Sequence, residues 1–270
     1  MARRLFCEIS PVTYALSVTL RRLRRYGAWL FCRHARVKAA PLPVVVYAHA
    51  SLIRRTLGCV DMALQENKAV NLALSAPKVS GVLIRPGETF SFWRLVGRTS
   101  RARGYREGLT LTSGKPSRGI GGGLCQFTNL LHWMALHSPL DITEHHHHDR
   151  FDLFPDAGRV IPFGTGTSIM NNYLDYRLTN NTDVTFQFIV WVDETHLRGE
   201  LRADRSPDVT YHIREEDARF VREEDAWYRE NTVWRDTVDK GSGHVVRREM
   251  LKRNHARVMY EERYIDPAGR

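Results

Sequence analysis

The stretch GIGGGLCQFTNLLHWMALHSP, residues 119–139, organises the reading of the whole chain. Gly121, Gly122 and Gly123 open backbone conformations closed to other residues and let a second backbone, or a ligand, come close. A helical pattern over 124–137 follows at once and ends near Ser138-Pro139, since proline disfavours helix in the residue before it. Cys125 falls in the first turn, where unpaired backbone N–H groups favour an anion. Cysteines at helix N-termini have lowered pKa values, which makes Cys125 a candidate nucleophile at neutral pH. At about 100° per residue, Phe127, Leu130, Leu131 and Met134 share one face, with Thr128, Asn129 and His132 around the cysteine. The apolar face is expected to anchor the helix to a core while the polar face looks into a cleft. His132 lies about 10.5 Å of rise from Cys125, too far to act as its base.

A base must come from elsewhere, and EHHHHD, residues 144–149, is the candidate source. In an extended segment alternate side chains face opposite ways, so His146 and His148 share one side and His145 and His147 the other. His146 or His148 is the expected base, and Asp156 or, second to it, Asp152 the residue that orients the imidazole, in a Cys–His–carboxylate arrangement. Gly121, Gly122, Gly123 and Gln126 are the candidate substrate-binding residues, with the Gln126 side chain joining the Cys125 N–H as an oxyanion site. Plainer readings stand beside this one. The glycines can form a tight turn before a buried cysteine, and the histidines a solvated loop. One cysteine and two histidines can also hold zinc if the fold brings them together; no metal ligand is assigned from sequence. Gly164-Thr165-Gly166 in PFGTGTS is read as a flexible turn, and no cofactor motif is found. Cys7, Cys32 and Cys59 are read as structural and reduced, because the four cysteines fit neither a zinc ribbon nor a disulfide framework.

Working outward, residues 12–31 place apolar side chains at helical spacing with arginines between them, and AAPLP at 39–43 breaks the pattern. A second helix is expected over 52–73 and a strand at 89–92, and glycine-rich sequence fills 104–123. Beyond the central helix, 173–178 and 184–192 read as strands joined by a turn at 180–183. The charged tail reads as hairpins attached to the main sheet, with nothing that demands chemistry. Together these predict an α+β fold: a helical N-terminal half, a central Cys-headed helix packed on an antiparallel sheet, and a β-rich C-terminal extension. The expected domains are a basic helical arm at 1–40, a core at 41–205 and the hairpin extension at 206–270.

The net charge of +10 over 270 residues suggests nucleic acid until it is located. Residues 1–38 hold nine basic side chains against Glu8 alone, a balance of +8, which leaves +2 for the other 232 residues. No zinc finger, RNP motif or aromatic-basic interleave accompanies the arm, so no nucleic-acid partner is expected. No apolar run reaches the roughly 18 residues of a membrane span, and MARRLFCEISPVTY lacks a secretory h-region. The expected location is cytoplasmic. The arm is expected to pack its apolar stripe on the core with the arginines solvated; the alternative is peripheral contact of residues 1–38 with an anionic membrane at the inner face.

The runs PGETFSFWRLVGRTSRARGYREGL, GGGLCQFTNLLHWMALHSPL, EHHHH and FPDAGRVIPFGTGTS with NNYLDYRLTNNT resemble the VanW family. The likeness reaches back through LGCVDMALQENKAVNLALSAPKVSGVLIRPGE and is most specific over 79–192. It implies a bacterial protein of cell-envelope and glycopeptide-resistance context, and no known reaction. It also places the glycine–cysteine–glutamine motif, here Gly121–Gln126, at the head of a helix. By fold-level analogy with thiol hydrolases, the expected activity is a cysteine-dependent hydrolase or acyltransferase on an amide of a cell-wall precursor or peptide. The alternative is a non-catalytic module that binds a small molecule, peptide or partner.

Overall fold

The computed structural model describes residues 6–54, 61–112, 115–147, 149–153, 155, 160–171 and 173–265. Cys59, His148 and Asp156 lie outside them. Helix α1 (Pro11–Ala28) starts on a capping box in which Ser10 and Thr13 satisfy each other's backbone N–H groups, with Pro11 pre-set for the first turn. Then come β1 (Val44–Leu52), α2 (Met62–Val79), β2 (Leu83–Ile84), β3 (Thr89–Ser91), α3 (Phe92–Val96), β4 (Glu107–Thr112) and β5 (Lys115–Ile120). Helix α4 (Cys125–Leu136) leads into β6 (Asp141–Glu144), β7 (Phe151–Asp152), β8 (Arg177–Thr179), β9 (Phe186–Val192) and β10 (His196–Ala203). Three long strands close the chain: β11 (Val209–Glu223), β12 (Ala226–Asp239) and β13 (Val245–Val258).

The architecture is mixed α+β, but the first half is not mainly helical. Residues 44–52 form a strand paired along its length with β10, because VVVYAHASL carries the β-branched run that suits a pleated surface. The second helix therefore begins at Met62, where the Asp61 side chain accepts from the Ala63 N–H, and runs on to Val79. The glycine-rich stretch holds the β4–β5 hairpin.

The central sheet has the order β1-β10-β9-β2, all antiparallel. Along β10, Leu197, Gly199, Leu201 and Ala203 alternate inward. Gly199 gives room there: a Cβ would stand 2.7 Å from Met134 Cε and 3.0 Å from Leu130 Cδ2, the side chains by which α4 packs on β10. Phe127, Leu130, Leu131 and Met134 thus enter one core with Leu72, Phe186, Phe188, Leu197 and Leu201. This is the apolar face the sequence predicts.

Two expected connections differ. Strands β8 and β9 are not a hairpin; β8 pairs with β3 and β6, while β9 pairs with β10 and β2. The cause is Asn180, fully buried, whose Nδ2 donates to the carbonyls of Ile84 and Val184 (2.7 Å each) and fixes a crossover between sheets. The C-terminal strands do not extend the main sheet either. They form a separate sheet, β11-β12-β13-β7, in which β7 runs parallel to β13.

Helix α1 also reverses the expected packing. Two of its arginines face the body, Arg25 bonding Glu144 and Arg22 Nε donating to the Asn171 carbonyl, while Leu16, Leu20 and Leu23 are exposed. No described helix is long and apolar enough to cross a membrane.

Candidate active site

The head of α4 is held by packing of backbone on backbone. Gly122 rests on Gly108 of β4, and a Cβ there would meet the Gly108 carbonyl carbon at 2.2 Å. Gly121 and Gly123 take positive φ (79° and 88°), which side chains rarely adopt. Asn71, fully buried on α2, donates to the Gly122 and Arg106 carbonyls (2.9 and 3.0 Å) and accepts from the Arg106 N–H. Of the three glycines only Gly123 lines the cavity, while Gly121 packs on Thr99 and Gly122 on Gly108.

That cavity, about 320 Å³, opens at the start of α4. Cys125, Gln126 and Asn129 line it from α4, His49 and Ser51 from β1, Gln65 and Lys68 from α2, and His147 and residues 161–167 from the facing segment. Cys125 as a whole residue is half-buried. Burial pushes its pKa up, and hydrogen bonds from the Ile169 amide and from its own amide offset this only in part. With its pKa raised, the thiol rests as S–H at neutral pH, so burial acts against the thiolate that a helix terminus favours.

Among the described histidines, His145 and His147 both reach Gly166, His146 does not, and of the three His147 alone lines the cavity. His145 Nε2 lies 2.8 Å from the Gly166 carbonyl and its ring stacks on His132 at 4.2 Å. His147 lines the cavity with Cys125. His146 turns away to Glu144 (3.1 Å). Asp152 is buried, accepts from the Tyr260 hydroxyl at 2.8 Å and lies 3.6 Å from Arg229. Asp149, the last residue of the quoted run, lies 3.1 Å from His147 Nδ1.

A second partner reaches the same nitrogen. Lys252, on β13, stands 3.1 Å from His147 Nδ1 and pairs with Asp149. Burial first, and then the Lys252 charge, lower the His147 pKa to about 4 against the pull of Asp149. His147 is neutral at pH 7, and Nδ1 serves one partner at a time. Donating to Asp149 leaves Nε2 as a proton acceptor; accepting from Lys252 puts the proton on Nε2.

Gly166 provides the seat for this ring. A Cβ there would stand 2.9 Å from His147 Nε2 and 3.8 Å from Asn129 Oδ1. Asn129, one turn beyond Cys125, accepts from Thr167 through its backbone N–H (2.7 Å) and its hydroxyl (2.8 Å). PFGTGTS is therefore bolted to α4 rather than being a loose turn.

Gln126 lines the cavity and also ties two elements together. Its Nε2 donates to Ser51 Oγ and the Leu52 carbonyl, both at 2.9 Å, pinning α4 to the end of β1. His132 bonds the Tyr176 hydroxyl at 3.2 Å within the core. The zinc arrangement is not assembled among the described residues: the group of three ligand atoms within 4.8 Å of one another is Glu223, Glu230 and His255, on the C-terminal sheet. Sequence reasoning missed Asp149, Gly166 and Lys252. The first two stood inside motifs already singled out; Lys252 gave no local signal.

These features define an α+β protein in which a cysteine-headed helix and a histidine-bearing segment line one cavity. A family model described as VanW like protein matches residues 67–202, which hold α4, β6 and the histidine run. The Vancomycin B-type resistance protein VanW of Enterococcus faecalis (strain ATCC 700802 / V583) is 33% identical over 264 residues, covering 96% of this chain and 95% of that protein. The Uncharacterized protein YoaR of Bacillus subtilis (strain 168) is 32% identical over 94 residues, 35% of this chain and 31% of its own length. No solved structure matches. The chain belongs to the VanW family.

Proposed function

We propose that the protein is a thiol-dependent hydrolase or acyltransferase acting on an amide of a peptide or cell-wall precursor. The observation that carries this is the shared cavity of Cys125 and His147, with Asp149 on the far nitrogen of the imidazole. Both reacting groups are neutral at rest, so attack is base-assisted. His147 Nε2 takes the thiol proton as the Cys125 sulfur bonds the carbonyl carbon, and the same proton leaves with the departing amine. Water or a second amine then releases the acyl group. The wall-precursor substrate rests on the name of the Enterococcus faecalis relative alone.

The raised thiol favours a second reading, a pocket that binds without reacting. Mass spectrometry after exposure to a small activated ester separates the two. The catalytic reading expects acyl transfer to Cys125, none in Cys125→Ser, and about tenfold or more slower acylation in His147→Ala. An ester that never acylates Cys125, or does so at the same rate without His147, leaves the binding reading in place.

A further inference from the structure

Helix α1 is fastened to the body by its polar side. Arg22 bonds the Asn171 carbonyl, Arg25 bonds Glu144 and the Tyr173 carbonyl, and the Arg21 guanidinium lies 5.3 Å from the centre of the Tyr173 ring. Val18 is its one buried apolar side chain among the described residues. The opposite side carries Val12, Leu16, Leu20 and Leu23 in one stripe, with Val12 75% and Leu23 60% exposed. Leu30 (83%) and Phe31 (90%) prolong it at the C-terminal end. A surface helix that packs on a soluble body has the reverse polarity, and a contiguous apolar patch of this extent marks an interaction surface.

The charge says what the surface meets. Nine basic residues against one acid stand in residues 1–38; Arg24, next to Leu23 on the helix, is exposed, and so are Arg33 and Arg36 beyond it. A second copy would bring the same positive excess against it, so self-association through this face is opposed. Apolar side chains flanked by arginines match the acyl boundary and phosphates of an anionic bilayer. We propose that α1 and the turn after it lie in the interface of an anionic membrane, stripe inward, with the cavity-bearing body held on the aqueous side.

Co-sedimentation of the full chain with vesicles tests this. With 30% phosphatidylglycerol in phosphatidylcholine, the protein should pellet, and the bound fraction should fall steeply when the salt is raised or the anionic lipid left out. Leu20→Ser/Leu23→Ser should weaken partitioning about tenfold or more, with circular dichroism and thermal unfolding unchanged because both side chains point to solvent. Failure to bind anionic vesicles overturns the proposal, and so does binding that the double variant leaves intact. A solution dimer dissociated by the same variant assigns the face to protein contact and overturns it equally.

Discussion

Arg25 of α1 grips Glu144 with two parallel bonds, 2.6 Å from Nη1 to Oε2 and 2.7 Å from Nη2 to Oε1. The same carboxylate accepts from the Asp175 N–H (2.8 Å) and faces His146 (3.1 Å). It stands directly before the histidine run, so the arm and the cavity wall share one anchor. Burial pushes the Glu144 carboxyl up, but Arg25, the Asp175 amide and His146 together outweigh it and hold it at about 2. A carboxyl depressed in the folded state adds stability that is present above the unfolded value near 4.5 and is lost as pH falls toward 2.

Arg25→Ala should lower stability on the order of 3 kcal/mol, since it leaves Glu144 and the fully buried Asp175 without their cation. Chemical unfolding should also lose part of its pH slope between about 4.5 and 2. A variant as stable as the parent, with an unchanged acid slope, would show that the anchor is ornamental.

Gly166→Ala and Gly122→Ala should fail differently. At Gly122 the new methyl meets backbone, Gly108, at 2.2 Å, and the head of α4 must shift; a loss of about 3 kcal/mol or more is expected in thermal unfolding. At Gly166 it meets the movable ring of His147 at 2.9 Å, and no positive φ is required. That variant should fold nearly as well as the parent while acylation of Cys125 slows about tenfold.

Much of this site was legible before any coordinates. The central helix was, because three glycines and a Ser-Pro pair punctuate a strong 3.6-residue period; its observed span, Cys125–Leu136, lies inside the expected one. The placing of the cysteine at its head was too, and so was the turning of His146 to the side away from His145 and His147. Which side faces the cavity was not, because Gly166 and Lys252 decide it and Lys252 is 105 residues from His147. Nor was the charge state of the thiol, since a local pattern reports the helix terminus but not how deeply the fold buries it. The polarity of α1 was misread for a similar reason: spacing reveals two faces, and only Glu144 and Asp175 select the arginine side.

Cys125 should alkylate more slowly at pH 7 than an unfolded cysteine and gain rate into the alkaline range, because burial holds the thiol above its ordinary value. Peptide-resolved mass spectrometry after timed iodoacetamide exposure separates it from Cys7, Cys32 and Cys59. A Cys125 that outpaces the denatured control at pH 6–7 would mean that the helix terminus prevails over desolvation after all.

Lys252→Met tests whether the C-terminal sheet takes part in the site. Burial is the first reason that His147 is held down to about 4, and the Lys252 charge is the second. Removing the charge should therefore raise the imidazole pKa part of the way toward 6.5, read by NMR titration of its ring protons. A histidine depressed in the folded state makes stability rise with pH between about 4 and 6.5, since the unfolded chain binds the extra proton there. That slope should flatten in the variant. Lys252 also competes with Asp149 for Nδ1, so its loss leaves Nδ1 donating to Asp149 and Nε2 as the acceptor. The variant should then acylate Cys125 at least as fast as the parent and reach its plateau at higher pH. Slower acylation with an unmoved titration would instead make Lys252 a prop for Asp149 and the Gly164 carbonyl, which it also contacts at 3.3 Å.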